Sequence, residues 1–409
     1  MQILYTALLD IGVKDDEGKG ELSESRYLEK FRQNLISIEQ KDDWKYSGTS
    51  AKFQGQYHKD NAAGATYSVG AVCAFDEDYY IYSAVAKSGT AGVSGIIKKS
   101  YSDGSEQYIV HRNKDQLFGL DYDGRNRIAT SISSGSSQVR DIAVYNTDTN
   151  DFGHLTSGDS VDDNPYFCKC GGRILFDSRG IGRNSNMQAV GYSESVICAI
   201  TESRNIEEVA SEAKYDLLAP KEDSEGNIYY IRKPYKKTRA SKGAIRSFAD
   251  FLLMPFWLIY GIVRLMFFAA DVAKKSSDRK RGVSEGSNPY VEDQKSEREL
   301  YIQGELIDIQ KEEKRNKRLG DKAPGFAPKS FELWRSSSDG IKVCLAKGVL
   351  DYDVLDNGRV VYTNGRYVFL LSSDTTKKTL FRDKLITKIR VRADRTSDKA
   401  ISLQDPFGI

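Results

Sequence analysis

The sequence predicts an all-β protein: a six-bladed β-propeller closed by N- and C-terminal strands, with a helical, hydrophobic insertion in blade four. Three observations lead to this prediction. A unit made of a strand, a tight turn and a second apolar strand recurs along the chain, which is typical of radial β architectures. The 409 residues include 34 glycines, 24 tyrosines and 17 phenylalanines, a composition that suits turns and pleated strands. One long segment interrupts the repeat without a strand pattern of its own.

The turns of the repeat mark its register. They lie at Asp78, Gly124, Gly172, Gly226, Gly358 and Asp398, with spacings of 46, 48, 54, 132 and 40 residues. Four spacings fit a four-stranded blade, and the remaining one fits a blade plus roughly 85 inserted residues. The first five predicted blades therefore span residues 65–110, 115–155, 160–211, 215–346 with an interruption after 231, and 354–381.

The sixth blade is predicted to combine strands from the two ends of the chain. Its inner strands are 387–391 and 400–403, and the N-terminus supplies 2–9 and 51–58. A ring of sheets must close or leave exposed edges, and this pairing closes it. The polar stretch between the two N-terminal strands carries one helical pattern, formed by Tyr27, Phe31, Leu35 and Ile38.

One copy of the repeat resembles a known family. Asp162, Pro165 and Phe167 form the pattern Asp-x-x-Pro-x-Phe, followed by a turn at Gly172 and an apolar strand. This unit resembles the TolB-type, WD40-like β-propeller repeat, and the copy around Gly226 also keeps a proline. The resemblance implies the fold and little about activity, because propellers host many unrelated functions. TolB-type proteins are usually exported with a signal peptide, whereas this N-terminus lacks a basic region and a cleavage site. A cytoplasmic location is therefore expected.

The domain organisation follows from the interruption. Residues 1–234 and 330–409 are predicted to form the propeller, and 235–329 the insertion. The insertion begins with a basic stretch, continues with an apolar run over 251–270 that contains one charge, and ends in a highly charged stretch over 292–318 that is predicted to be helical.

The apolar run has the length of a membrane span, yet both ends of the insertion leave between two strands of one blade. A single crossing would place those ends on opposite sides of the membrane, and no second apolar run returns. We therefore expect a helix in the membrane interface or a re-entrant pair of half-helices, with a membrane-embedded protein partner or the protein's own ring as alternative cover.

The residues predicted to bind a membrane or a partner are the large apolar ones of this run: Phe251, Leu252, Leu253, Phe256, Trp257, Leu258, Ile259, Tyr260, Ile262, Val263, Leu265, Met266, Phe267 and Phe268. The basic flanks are predicted to contact anionic lipids, each residue contributing about 1 kcal/mol. They comprise Lys236, Lys237, Arg239, Lys242, Arg246, Lys274, Lys275, Arg279, Lys280 and Arg281.

Patterns for catalysis or metal binding are missing from the sequence. The histidines are isolated from one another, and Gly191–Ser195 lacks the second glycine of a nucleophile elbow. Asp162 and Asp163 could bind a cation or act as acid and base, but such an aspartate usually ties a loop amide. The cysteines lack zinc-site spacing and are predicted to be reduced thiols: Cys73, Cys168, Cys170, Cys198 and Cys344. No catalytic residue, metal or cofactor is predicted.

The charge pattern restricts the choice of partners. The net charge of +2 predicts no nucleic-acid partner. Lys388, Arg390 and Arg392 alternate onto one face of a strand and are predicted to be solvated.

The sequence favours a non-enzymatic scaffold with protein partners, attached peripherally to the inner face of a membrane or to a membrane complex. One alternative is a ligand-binding or enzymatic propeller, which would bring acids, histidines or metal ligands from several blades together in the central channel. Another alternative is a subunit of an oligomeric or toxin-like assembly, joined through the apolar helix.

Overall fold

The computed structural model describes residues 1–34, 37, 65–88, 91–134, 139–169, 172–186, 189–236, 299–302, 305–372 and 376–392. Two compact units are distinguished. One takes in 1–181, 193–236 and 296–409, and the other 182–192 and 237–295. In the second unit the described residues are 182–186 and 189–192.

The first half of the chain builds the N-terminal strands and three blades. The N-terminal elements are β1 (Gln2–Ala7), β2 (Asp10–Asp15), β3 (Gly20–Glu24) and helix α1 (26–34). Blade one contains β4 (Ala65–Ala74), β5 (Tyr79–Ser88), β6 (Ala91–Ser100) and β7 (Glu106–Asn113). Blade two contains β8 (Asp115–Tyr122), β9 (Arg127–Ser134), β10 (Asp141–Asn146) and β11 (Phe152–His154). Blade three contains β12 (Ser160–Phe167), β13 (Ile174–Arg183), β14 (Ala189–Tyr192), β15 (Val196–Ile200) and β16 (Ile206–Ala210).

The second half of the chain completes the ring. Blade four begins with β17 (Tyr215–Glu222) and β18 (Ile228–Pro234). After the insertion come β19 (Glu299–Ile302), β20 (Glu305–Asp308) and helix α2 (Ile309–Arg318). The remaining strands are β21 (Glu332–Ser336), β22 (Lys342–Lys347), β23 (Asp351–Val354), β24 (Val360–Thr363), β25 (Tyr367–Leu371), β26 (Lys377–Arg382) and β27 (Lys388–Arg392).

The sheets confirm the predicted six-bladed propeller. In the described residues six antiparallel sheets each follow a four-strand path, and the insertion falls between the second and third strands of blade four, in the order β17-β18-β21-β22. The innermost strands contact one another in the order β4, β8, β12, β17, β23, β27 and then β4 again. This closed order is the ring, and the apolar clusters lie between neighbouring sheets.

The closing blade joins both ends of the chain, as predicted, but with different strands. Its order is β27-β1-β2-β3, so the C-terminal part supplies one strand and the N-terminus three. The sequence analysis was wrong to treat β2 and β3 as a polar excursion. Ile11 is fully buried, and Gly12 lies under the ring of Tyr5, where a Cβ atom would stand 2.0 Å from the Tyr5 Cζ atom. The predicted strands 51–58 and 400–403 lie outside the described residues.

Five of the predicted turns lie between the first and second strands of their blades, and the sixth, at Asp398, lies outside the described residues. Gly124, Gly172, Gly226 and Gly358 have φ angles of 79°, 60°, 80° and 70°, in the left-handed region that favours glycine. An aspartate often closes the same turn. The Oδ1 atom of Asp123, for example, accepts hydrogen bonds from the backbone amides of residues 125, 126 and 127 at 2.8, 3.1 and 3.0 Å.

The prolines of the repeat occupy β-bulges in the innermost strands. The pairing of β12 with β13 shifts between Asp163 and Tyr166, and the pairing of β17 with β18 shifts between Leu218 and Lys221. Pro165 and Pro220 fall inside these two bulges. A bulge suits proline because the bulged residue does not donate to the ladder.

The end of the insertion differs from the helix predicted over 292–318. Residues 299–302 and 305–308 form the paired strands β19 and β20, and α2 begins only at Ile309. Apolar residues two positions apart favour a strand over a helix here, because Leu300 and Ile302 then share one face of β19. Asp308 is the helix N-cap, and its side chain accepts a hydrogen bond from Lys311 N at 2.9 Å.

The apolar run over 251–270 and all of its predicted basic flanks except Lys236 lie outside the described residues. No helix within the described ranges combines the length and the apolar character that crossing a bilayer requires. The helical pattern near the N-terminus is confirmed where it is described: Tyr27 and Leu28 of α1 are buried, and Phe31 packs against the same cluster.

Candidate functional site

Charged side chains from the innermost strands meet at the centre of the ring. The buried ones are Asp121 on β8, Lys221 on β17 and Asp351 on β23. Three partly buried ones join them, namely Asp353, Lys388 and Arg390. We call these six residues the central charge cluster. They come from blades two, four, five and six, so no stretch of sequence contains the cluster.

The cations of the cluster are paired with its acids. Lys221 Nζ lies 2.5 Å from Asp353 Oδ1, and Arg390 Nη1 lies 3.6 Å from Asp351 Oδ2. Lys388 Nζ lies 3.7 Å from Asp351 Oδ1 and donates to Asn164 Oδ1 at 3.0 Å. Because Asn164 belongs to blade three and Lys388 to blade six, this lysine reaches across the ring.

The acids of the cluster also accept hydrogen bonds from the backbone of the next blade. Asp351 Oδ2 accepts from Ile389 N at 2.8 Å. Asp353 Oδ2 accepts from the amide of Val391 at 2.7 Å, and Asp121 Oδ2 from that of Phe167 at 2.7 Å. Each carboxylate thus joins two neighbouring innermost strands.

Burial and pairing shift the pKa values in the cluster. Burial raises the pKa of Asp121 to about 6 and lowers the pKa of Lys221. Burial opposes ionisation of Asp353 as well, but the charges of Lys221 and Arg390 outweigh it and lower that pKa. The three acids around Arg390 raise the pKa of its guanidinium against the effect of burial. Burial thus brings the pKa of Asp121 closer to neutral than that of an ordinary aspartate.

A catalytic or ligand-binding propeller was expected to bring acids, histidines or metal ligands from several blades together in its channel. The cluster meets only part of this condition. Acids from several blades do converge, but every one of them is engaged by a cation or a backbone amide. Among the described residues, no group of three or more His, Cys, Asp or Glu side chains is arranged to hold a metal ion.

Asp162 and Asp163 make the contacts of structural residues. Asp163 Oδ1 accepts from Ser131 Oγ at 2.6 Å and from the amide of Asn164 at 2.9 Å, and its Oδ2 pairs with Arg140. Asp162 Oδ1 accepts from Ser178 Oγ at 2.6 Å. These bonds support the interpretation that the pair ties a loop amide and neighbouring strands.

The described histidines and cysteines do not come together. His111 Nδ1 lies 3.3 Å from Tyr27 Oη, and His154 Nδ1 lies 3.4 Å from Asp141 Oδ2. His58 and Cys170 lie outside the described residues. The described cysteines are not joined to one another, and burial raises the pKa of each: Cys73, Cys168, Cys198 and Cys344.

The sequence analysis missed Lys388 and Arg390 as residues of the ring centre. They were predicted to be solvated, but β27 is the innermost strand of the closing blade and directs them at Asp351. The alternating acids of β23 and the alternating cations of β27 were the available signal. It could be used only once the two strands were known to be neighbours.

The root of the insertion is the second notable site. Arg232, near the end of β18, stacks on the ring of Tyr215 with its Cζ atom 3.4 Å from the ring centroid. It also pairs with Glu212 at 2.5 Å and with Glu332 of β21 at 3.2 Å. Beyond it, Lys236 forms an ion pair with Glu305 of β20. The last described residue before 237–298 therefore contacts the strand pair that follows this segment.

Comparison with known proteins identifies no family for this chain. No protein-family model matches the chain, and no curated protein matches it. Among solved structures, the chain is similar to one described as a nidogen/laminin complex, with a TM-score of 0.47, 9% identity, and coverage of 95% of this chain and 97% of that chain.

TolB from Acinetobacter baumannii is also similar, with a TM-score of 0.36, 11% identity, and coverage of 95% of this chain and 80% of that chain. An oligogalacturonate lyase from Vibrio parahaemolyticus has a TM-score of 0.34 and 9% identity, and the match covers 76% of this chain and 68% of that chain. The six-bladed propeller fold that the TolB-type resemblance implies is confirmed by the sheets of this chain. These likenesses carry no argument about activity or partners.

Proposed function

We propose that this protein is a non-enzymatic propeller scaffold for protein partners, attached peripherally to the inner face of a membrane or to a membrane complex. The attachment is made by the apolar run over 251–270 and its basic flanks. The ring serves as the rigid body that the attachment holds at the surface.

The ion pair between Lys236 and Glu305 carries this proposal. Glu305 pairs across the hairpin with Ile302, so the chain leaves the ring and returns to it at the same place. The apolar core of a bilayer is about 30 Å thick. A single crossing would separate the two ends by that distance, and 271–298 contains no second apolar run. A segment that enters the interface and returns on the same side satisfies both observations.

The residues at the base of the insertion are linked to several strands of blade four. Arg232 contacts Tyr215, Glu212 and Glu332, and the Trp334 Nε1 atom donates to Glu332 Oε2 at 3.0 Å. These contacts link three strands of blade four. The segment is therefore anchored to the sheet as a whole and not to a single strand. The engaged acids of the central charge cluster support the non-enzymatic part of the proposal.

Flotation of the purified protein with phosphatidylcholine vesicles, with and without phosphatidylserine, tests the attachment. Wild type is expected to float with both, and more strongly with phosphatidylserine, since each basic residue contributes about 1 kcal/mol near an anionic surface. Replacing 244–275 by a Gly/Ser linker is expected to leave a folded protein that stays at the bottom with pure phosphatidylcholine vesicles.

Paired substitutions supply the control for flotation. Trp257→Glu with Ile262→Glu alters the apolar run and is expected to abolish flotation. Ile341→Glu with Val343→Glu alters two apolar side chains that are 61% and 38% exposed on blade four, and it is expected to leave flotation unchanged. A wild type that remains at the bottom without detergent would overturn the membrane attachment.

A further inference from the structure

Helix α2 presents a basic face to solvent. Its buried residues are Ile309 and Asn316, which lie on one side at about 100° per residue. The exposed residues of the opposite side include five cations: Lys311, Lys314, Arg315, Lys317 and Arg318. The acids of the helix flank the buried side, and both are partly buried, namely Glu312 and Glu313.

The acids of α2 pair with only one of the five cations of this face. Glu313 Oε2 lies 3.3 Å from Arg366 Nη2, a partner on blade five. Glu312 Oε1 lies 3.5 Å from Arg315 Nη1. In the described part of the chain the other four cations of the face form no ion pair.

An apolar side chain stands at the end of the basic face. Leu319, the C-cap residue, is 65% exposed, and its amide donates to Arg315 O at 3.1 Å. Burying a leucine side chain is favourable by about 2 kcal/mol, so an exposed one beside several cations suits a surface that is both anionic and apolar.

The position of α2 connects it with the attachment site. The helix begins after Asp308, three residues beyond the Glu305 that pairs with Lys236. Its ten residues span about 15 Å. The basic face thus begins next to the point where segment 237–298 leaves and re-enters the ring.

We infer that α2 is a second membrane contact, in which the basic face binds anionic lipid headgroups and Leu319 enters the apolar layer beneath them. This inference rests on the proposed attachment through the apolar run. A bilayer fits better than an acidic protein or a nucleic acid. The cations spread over about 160° of the helix surface, and the exposed leucine has no use in phosphate recognition. With the apolar run as its only contact, the ring could rotate about the point of attachment. A second contact through α2 would fix the orientation of the ring relative to the membrane.

Vesicle binding by the full chain tests the contact. Lys311→Gln, Lys314→Gln and Arg318→Gln together remove three charges, each worth about fivefold in affinity near an anionic surface. We expect at least tenfold weaker binding to vesicles with phosphatidylserine, a reduced dependence on salt, and no change for pure phosphatidylcholine.

The other described helix offers a matched control. Arg26→Gln, Lys30→Gln and Arg32→Gln remove three exposed charges from α1 and are expected to change binding less than twofold. Unchanged circular dichroism of both triple variants excludes loss of folding. Gln is chosen because its helix propensity is close to that of Lys and Arg.

The outcomes separate this inference from the proposed function. If wild type binds and the α2 and α1 triple variants bind equally well, the role of α2 is refuted while the attachment stands. If the chain with 244–275 replaced keeps weak, salt-sensitive binding that the α2 substitutions abolish, α2 is a contact in its own right. Equally tight, α2-dependent binding to a DNA oligonucleotide would overturn the assignment to lipid.

Discussion

Asp177 shows how single carboxylates join the blades. It is 1% exposed, and its Oδ1 atom accepts from Ala219 N of blade four at 2.9 Å and from Asn164 Nδ2 at 2.8 Å. Asp121 plays the same part between blades two and three. A buried amide without an acceptor costs about 1–3 kcal/mol, which explains why acids occupy positions where their charge is costly.

The burial of Asp177 predicts a pH-dependent stability. Burial and the neighbouring Asp163 raise its pKa from 3.8 to about 7. The folded state therefore favours the protonated carboxyl, and this stabilisation is full below about pH 4 and lost as the pH rises through about 7. Asp177→Asn keeps the accepting oxygen and cannot ionise. In urea unfolding across this range, it should flatten the decline of the free energy of unfolding by up to about 1.4 kcal/mol per pH unit.

Asp103→Asn is the control for this measurement. The pKa of Asp103 is lowered to about 2, mainly by the hydrogen bond from the Ser105 amide. Its contribution therefore changes only below about pH 4. An equal flattening in both variants, or none in Asp177→Asn, would contradict the role given to Asp177.

At the scale of elements, the repeat unit combines a turn, a bulge and an inter-blade bond. In blade three, Gly172 lies in the turn and Pro165 in the bulge. Asp163, the residue after the aspartate of the sequence pattern, makes the inter-blade bond to Ser131. Helix α2 lies outside the repeat, so it needs its own connection to the ring. Asn316 provides it, since its Nδ2 donates to Gly325 O at 2.7 Å and to Ala327 O at 3.0 Å.

Asn316→Ala should loosen the segment between α2 and β21. Two buried carbonyls lose their donor, and an orphaned buried acceptor costs about 1–3 kcal/mol. We expect faster hydrogen exchange of residues 317–331 and a lower free energy of unfolding. Gln310→Ala, at an exposed position of the same helix, is the control. Unchanged exchange in Asn316→Ala would show that the apolar contacts of Phe326 and Ile309 suffice.

For the whole molecule, closure of the ring depends on contacts between residues far apart in sequence. β27 pairs with β1 from Gln2 with Arg392 to Thr6 with Lys388. The side chain of Arg392 also reaches Gln2 Oε1 at 2.8 Å. The cations of β27 pair with acids that are buried at the centre of the ring. This strand therefore contributes charge pairing as well as backbone hydrogen bonds.

A chain that ends at Leu385 should fail to form the native ring. It lacks β27 and leaves Asp351, which is 1% exposed, without Lys388 and Arg390. Removing one partner of a buried pair typically costs about 3–5 kcal/mol. A chain that ends at Arg392 keeps the strand and serves as the control. Circular dichroism melting and size-exclusion chromatography compare them, and equal melting of both would show that closure does not need β27.

The sequence by itself determined the positions of five turns, the number of blades and the place of the insertion. These follow from local chemistry, because glycine at positive φ and alternating apolar residues act within a few positions of each other. Only the tertiary structure decided which strands close the ring and which charges meet at its centre. Lys388 and Asn164 are 224 residues apart, and nothing in either segment indicates the other. Solvation of the β27 cations was the wrong expectation because exposure depends on a strand's place in the sheet, which long-range pairing sets.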